Sequence, residues 1–399
     1  MTFNMHGRNA AIIAEGAYAV AAAKASTSRD VKADADTFAQ REQAFDAEAE
    51  TDEPSLSVDV TPMEAVVSQS GGIVKEKAGF GVLLERHGGQ KGEYIFAMRG
   101  TTGPMGTSKD WISNYQIGLT RGPTGSLVHS GFMDIYAGMR NDVQRMIKGA
   151  NPDRIHFVGH SLGGALATLA AIDFAQNGTA TSHLYTFGAP RVGSLGLGSD
   201  VVRMIGAERL KRVYSISDPV PMIPLSPFCH VGPGSTGFVD DNKAFSGQAH
   251  SMKDNYIPKM PLTGWPPESR MSSKSDPGYW LTQAEGQLGS IGSSLGYFFL
   301  AKALKAILYA GAHVISATIT IGFTLADVLI ELIRSGARFA SRIGDYLVRF
   351  AKLALKLAGA AVRGALQVAD LTVSFLRYIL DLVMRPIRIA ASAAMNVIT

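Results

Sequence analysis

Cysteine is nearly absent. Cys229 stands alone among 399 residues, which excludes an intrachain disulfide and fits a reducing compartment without proving one. Charge is thin as well, at 18% against 46% hydrophobic residues. Such a balance excludes a solvated, disordered chain and describes a globular protein of two to three domain-sized units that leans apolar. A conventional signal peptide is lacking too, because Glu15 interrupts the apolar stretch Ala10–Ala23. No residue pattern implies a metal or an organic cofactor.

The few charges are unevenly spread. Residues 286–399 hold twelve Lys and Arg against five Asp and Glu, so the net +4 of the chain belongs to its last quarter. That quarter is also the most hydrophobic, which makes nucleic acid a poor partner and an anionic membrane surface a better one. Residues 29–53 are acidic and read as a solvated helix or linker, after an Ala-rich helix over 1–28.

What the chain does possess is the stretch Arg154–Ala171, RIHFVGHSLGGALATLAA. Ile155, Phe157 and Val158 read as a short buried strand, Gly159 to Gly163 as a sharp turn, and Gly164 to Ala175 as a helix. A nucleophile elbow needs that order, with glycines where a Cβ would strike the neighbouring strand and helix. Ser161 would then stand at the mouth of the sheet, with free N–H groups of the helix N-terminus beneath it. The chain supplies a control. Gly292-Ser293-Ser294-Leu295-Gly296 also spells G-x-S-x-G, but a Gly/Ser-rich stretch precedes it instead of a strand.

VGHSLGGALATLAA resembles the nucleophile motif of the class 3 (fungal-type) lipases, an α/β-hydrolase family, and the resemblance covers about residues 70–260. Strands are expected at Phe80–Arg86 and Glu93–Arg99, the second running into Arg99-Gly100-Thr101. By the resemblance, Thr101 is the first oxyanion residue, and the N–H of Leu162 is the second donor. Asp110-Trp111-Ile112-Ser113-Asn114 resembles a D-W-x-x-D lid segment with its second acid replaced by Asn114. Val128-His129-Ser130-Gly131-Phe132 matches a V-H-x-G-F element, in which His129 reads as structural because it precedes the nucleophile. Further strands are expected at His183–Phe187 and Arg212–Ser217, and Asp218, fixed by the prolines that follow, lies where the fold places the triad acid. Three histidines follow it: His230, His250 and His313. His250, with Ser251 and then Tyr256, resembles the family's terminal H-S-x-x-x-Y element, while the choice against His230 is left to geometry.

The C-terminal quarter has no counterpart in that pattern. Ala306–Ala326 is uncharged for 21 residues, long enough to cross a hydrocarbon core of about 30 Å, although Gly, Ser, Thr and His interrupt it. Arg334, Arg338, Arg342, Arg349, Lys352, Lys356 and Arg363 recur at spacings that would put every charge on one helical face, opposite an apolar one. A soluble bundle with basic outer faces is the alternative.

The expected architecture is an N-terminal helical and acidic segment (1–60), an α/β-hydrolase domain (61–265), a linker or flap (266–296) and an all-α, membrane-associating region (297–399). The expected activity is serine carboxylic ester hydrolysis of lipid esters at a membrane interface, by Ser161, Asp218 and His250 with Thr101 and Leu162 at the oxyanion. The rival is a membrane-inserting or partner-binding protein on a hydrolase-fold carrier. Delivery by a signal-independent route is compatible with the sequence and not otherwise indicated by it.

Overall fold

Five segments pair side by side as a parallel array. The computed structural model describes residues 5–18, 60–70, 76–86, 91–100, 118–178, 180–224, 228–231, 235–238, 245, 247–267, 276–315, 325–334, 340–360 and 365–396. Within it, β1 (Val60–Ser70), β2 (Glu76–Arg86), β3 (Glu93–Met98), β6 (Arg154–His160), β7 (Thr181–Phe187), β8 (Leu210–Ser215) and β9 (Ser235–Phe238) form one seven-stranded sheet in the order β1-β2-β3-β6-β7-β8-β9. The first two join antiparallel and the rest are parallel, with Met98 opposite Gly159 and Gly159 opposite Thr186. β4 (Leu119–Arg121) and β5 (Leu127–His129) make a separate hairpin.

Strands covered on both faces read as continuous apolar runs, because neither side meets water. β3 shows the division. Phe96 and Met98 face a core shared with α2 (Ser130–Ala150), α3 (Leu162–Asn177) and α4 (Leu195–Ile205), while Ile95 and Ala97 face a smaller core on the other side. The smaller core is filled by α1 (Gly7–Gly16), whose Ala10, Ala11, Ile13 and Ala14 are buried against Val158, Phe187 and Val213. Of the helix expected over 1–28, α1 covers Gly7–Gly16, and residues 1–4 and 19–28 lie outside the described residues. It is stitched down by Gly7 N–H to Gly264 C=O at 2.7 Å and by Trp265 Nε1–H to Met5 C=O at 2.8 Å.

The Pro/Gly/Ser-rich stretch before residue 297 contains α5 (Pro277–Glu285), capped by the Asp276 carboxylate and anchored by buried Trp280 and Leu281. Thus 266–296 is not linker throughout. Beyond it lie α6 (Ser294–Ile315), α7 (Leu325–Arg334), α8 (Ala340–Leu357) and α9 (Val373–Asn396). Their apolar residues belong to the same contiguous core as Phe157 and Leu166.

One expectation for this region needs correction. Of the run Ala306–Ala326, the part up to Ile315 continues α6, which begins at Ser294, includes Lys302 and Lys305, and buries Leu300, Leu304 and Ile307 against protein; residues 316–324 lie outside the described residues. Among the described residues no helix is long and apolar enough to cross a membrane. The basic residues, moreover, do not share one helix. Arg334 ends α7, whereas Arg342, Arg349, Lys352 and Lys356 lie on α8, whose apolar side is occupied by Leu347, Phe350 and Ala354 of the common core. Arg349 turns back to Glu285 of α5, with N–H donors 2.6 and 2.8 Å from its carboxylate oxygens. Arg338 and Arg363 lie outside the described residues.

Candidate active site

β6 delivers the chain to the middle of the sheet, and α3 starts at once. The one residue between them, Ser161, has φ 56° and ψ −132°, a conformation that costs an L-residue on the order of 1–3 kcal/mol. Its neighbours show what holds it there. A Cβ at Gly159 would strike the backbone of Gly163 and Gly164, and one at Gly163 would strike Met98 and Arg99 on β3. Tight packing of β6, α3 and β3 therefore fixes the turn, and Ser161 N–H is held by Phe187 C=O at 3.0 Å.

Three sequence-distant side chains converge on that turn. Ser161 Oγ lies 2.8 Å from His250 Nε2, and His250 Nδ1 lies 2.7 Å from Asp218 Oδ2. All three residues are 0% exposed. A carboxylate accepts, so Nδ1 carries the proton and Nε2 is free to accept from the serine hydroxyl. Asp218 follows β8, and its other oxygen accepts the Val220 N–H at 2.9 Å, so the carboxylate cannot rotate away. The structure thus brings together Ser161, Asp218 and His250. Leu162 is the first residue of α3, where a helix leaves its N–H unclaimed by any preceding turn. Thr101 and the segment around Asp110 and Asn114 lie outside the described residues. Of the Arg99-Gly100-Thr101 element, the described part shows Arg99 buried over the Phe80 ring and donating to Gly100 C=O at 2.7 Å.

The other histidines are elsewhere. His129 accepts the Gly131 N–H at the start of α2 between the rings of Phe132 and Phe228, and burial lowers its pKa to about 4. His230 lies among Arg191, Arg212 and Lys302, and His313 belongs to α6.

Further residues complete the site, and three of them went unassigned on sequence grounds. Tyr256 donates to Asp218 Oδ2 at 2.6 Å and accepts the Ser215 N–H at 3.1 Å. Burial, and then the Asp218 charge, raise its pKa well above the usual tyrosine value, so it stays a donor. The segment from Met252 to Tyr256 is a π turn closed by Tyr256 N–H to Ser251 C=O at 3.1 Å. A π turn takes one residue more than an α turn, which fits the four residues here between Ser251 and Tyr256 where an H-S-x-x-x-Y pattern has three.

His160, immediately before Ser161, holds the His250 loop. Its Nε2 is 2.8 Å from His250 C=O, and its Nδ1 is 2.8 Å from Tyr18 Oη. Because a carbonyl only accepts, Nε2 donates and Nδ1 accepts from the phenol. Burial, then the neighbouring His250, push the His160 pKa well below the usual range and keep the ring neutral. Phe187 and Trp265 close this side of the site as stacked rings.

Residues 95–228 match the sequence description Lipase (class 3). Secreted mono- and diacylglycerol lipase 1 of Fusarium solani is 33% identical over 160 residues, 39% of this chain and 46% of that protein. A lipase of Rhizomucor miehei is 30% identical over 170 residues, 40% and 45% of the two chains. The chloroplastic phospholipase A(1) DAD1 of Arabidopsis thaliana is 32% identical over 128 residues, 26% of this chain and 27% of that one. The chain therefore spans less than half the length of these relatives. The matched segment runs from β3 through the Ser161 elbow and Asp218 to Phe228, about a third of the chain, and over it the protein is similar to the class 3, fungal-type lipases.

Proposed function

We propose that the protein is a serine carboxylic ester hydrolase that cleaves lipid esters at a membrane interface through an acyl-enzyme. The observation that carries the reading is the continuous relay from Ser161 Oγ through His250 to Asp218, at 2.8 and 2.7 Å, on a strained elbow. Ser161 Oγ attacks the ester carbonyl as its proton passes to His250 Nε2. The carbonyl oxygen takes up the negative charge and is met by the Leu162 N–H, and by Thr101 as the family resemblance assigns it. Collapse breaks the acyl–oxygen bond, and the proton on Nε2 leaves with the alcohol. Water then repeats the sequence on acyl-Ser161 and frees the acid. Asp218 keeps the imidazole in the required tautomer throughout. The names of the relatives, acylglycerol lipases and a phospholipase A(1), support lipid esters as the substrate class.

Membrane association is part of the same reading. Arg334, Arg342 and Lys356 are exposed, and α9 presents exposed Arg377, Tyr378, Arg385 and Ile389. Cations with protruding apolar side chains suit an anionic lipid surface, each cation there contributing about 1 kcal/mol. Mixed liposomes of acylglycerol and phospholipid, incubated with wild type and Ser161→Ala and followed by lipid analysis and sedimentation, test the proposal. Release of fatty acid by wild type alone, with both proteins sedimenting, is expected. Equal lipid damage by both would favour the membrane-inserting rival, and no fatty acid from either would refute the hydrolase.

A further inference from the structure

A small cavity of about 20 Å³ lies beside the triad acid, away from any role in the relay. Arg191, Arg212, Tyr214 and His230 line it from the hydrolase sheet and its loops, Lys302 lines it from α6, and Asp218 contributes to its wall. Cations dominate that lining. Burial lowers the guanidinium pKa of Arg191 and of Arg212 to about 10 each, which still leaves both charged at neutral pH. Arg191, Arg212, Lys302 and Lys305 all bear on His230, and Asp218 is the one acid among the described residues that line the cavity.

The Nε of Arg191, the Nε of Arg212, the Tyr214 hydroxyl and His230 Nδ1 are buried and have no hydrogen-bond partner among the described residues. Arg191 and Tyr214 are themselves 5% and 4% exposed. One guanidinium N–H of Arg191 reaches Pro224 C=O at 3.3 Å. Aromatic faces offset part of the charge: Arg212 lies 4.7 Å from the Tyr214 ring centre, and Lys302 Nζ lies 5.3 Å from Phe298 and 5.7 Å from Tyr214 and Trp280. Ring quadrupoles soften a cation but do not accept a conventional hydrogen bond from it. Buried donors and charges of this kind are normally paired.

We infer that this cavity is a binding site for a phosphate-class oxyanion, held between Arg191, Arg212 and Lys302. The donors arrive from four directions: β8, the loop after β7, the segment at 228–231 and α6. A tetrahedral anion has oxygens to meet all of them, whereas a carboxylate has two, and the planar fork of arginine suits a phosphate edge. Free phosphate and the headgroup of a phosphorylated lipid share this chemistry. Because Lys302 belongs to the C-terminal helices and Arg212 to the sheet, the anion would tie those two parts of the chain together and stabilise both.

The full chain would be unfolded thermally in a zwitterionic buffer with sodium phosphate or sodium chloride at equal ionic strength, and phosphate binding measured by titration calorimetry. A saturable rise in Tm with phosphate, exceeding that with chloride, is expected. Lys302→Met, shown to be folded by circular dichroism, should bind phosphate at least ten-fold more weakly. Should that variant not fold, Lys305→Met is the substitute, with at least a three-fold loss expected. Glycerol 3-phosphate separates the sources: a response to it as well as to phosphate supports a headgroup, and a response to phosphate alone supports the free ion. Equal shifts with chloride and phosphate, or unchanged phosphate affinity in the folded variant, would overturn the inference.

Discussion

Gly159–Gly163 and Gly292–Gly296 have the same G-x-S-x-G spelling and different surroundings. Ser161 is squeezed between a central parallel strand and a helix, and its φ of 56° is imposed by backbone on both sides. Ser294 opens α6 after a turn in which Gly292, at φ 78°, takes up the positive dihedral. There, Ser293 Oγ accepts the Gly296 N–H at 3.2 Å, an ordinary helix start. A Cβ at Gly296 would meet side-chain atoms of Leu357 and Gln287, where one at Gly159 or Gly163 would meet main chain. The pattern therefore makes a strained elbow only where a strand feeds it and a second strand presses on its glycines.

The strongest test of that contrast is chemical. Ser161→Ala should lower ester turnover by roughly 10³-fold or more with the fold intact, since other hydrolases lose most of their rate with the attacking atom, while Ser294→Ala should leave it unchanged. Peptide mapping after a fluorophosphonate should find the adduct on Ser161 and none on Ser294. Next in size, His250→Ala should be about as severe as Ser161→Ala, because the two act as one unit. His230→Ala should keep its turnover, and an inactive His230→Ala beside an active His250→Ala would reassign the base.

Smaller effects probe what holds the elbow's partners in place. Tyr256→Phe removes a hydrogen bond to a carboxylate, about 1.5–3 kcal/mol, so kcat should fall by roughly 10–100-fold with KM little changed. A rise in KM instead would move Tyr256 to substrate binding. The least effect is expected of Tyr18→Phe, which leaves His160 Nδ1 without its donor: a net loss of about 1 kcal/mol, read as a lower Tm and a turnover loss of roughly five-fold. Wild-type values for both would show that His160 holds the His250 loop unaided.

Much of this was legible in the sequence. β3, β6, β7 and β8 announce themselves because both faces are covered, whereas the short β9 does not, and the Ser161 elbow and the placement of Asp218 after β8 follow from local order. β1 was not, since Pro62, Glu64 and Gln69 give it a polar reading and its partner β2 decides its pairing. α5 was hidden by its Pro- and Ser-rich flanks. The Tyr18–His160 contact joins residues 142 apart, beyond any local pattern. The C-terminal basic spacing was readable as helical, but an apolar helix face looks the same whether protein or lipid will cover it. Here Leu347, Phe350 and Ala354 are covered by protein.

The stitching of α1 to the loop at Gly264 and Trp265 bears on how the chain matures. Trp265 and Met5 are 260 residues apart. At roughly 5–20 residues per second, the ribosome makes one about 10–50 s after the other. Through that interval Ala10, Ile13 and Ala14 have no final partners from the Met252–Met260 segment, so α1 emerges as an apolar helix in need of temporary cover. The first described helix of the chain is thus among the last to be fastened, and chaperone dependence should concentrate at the amino terminus.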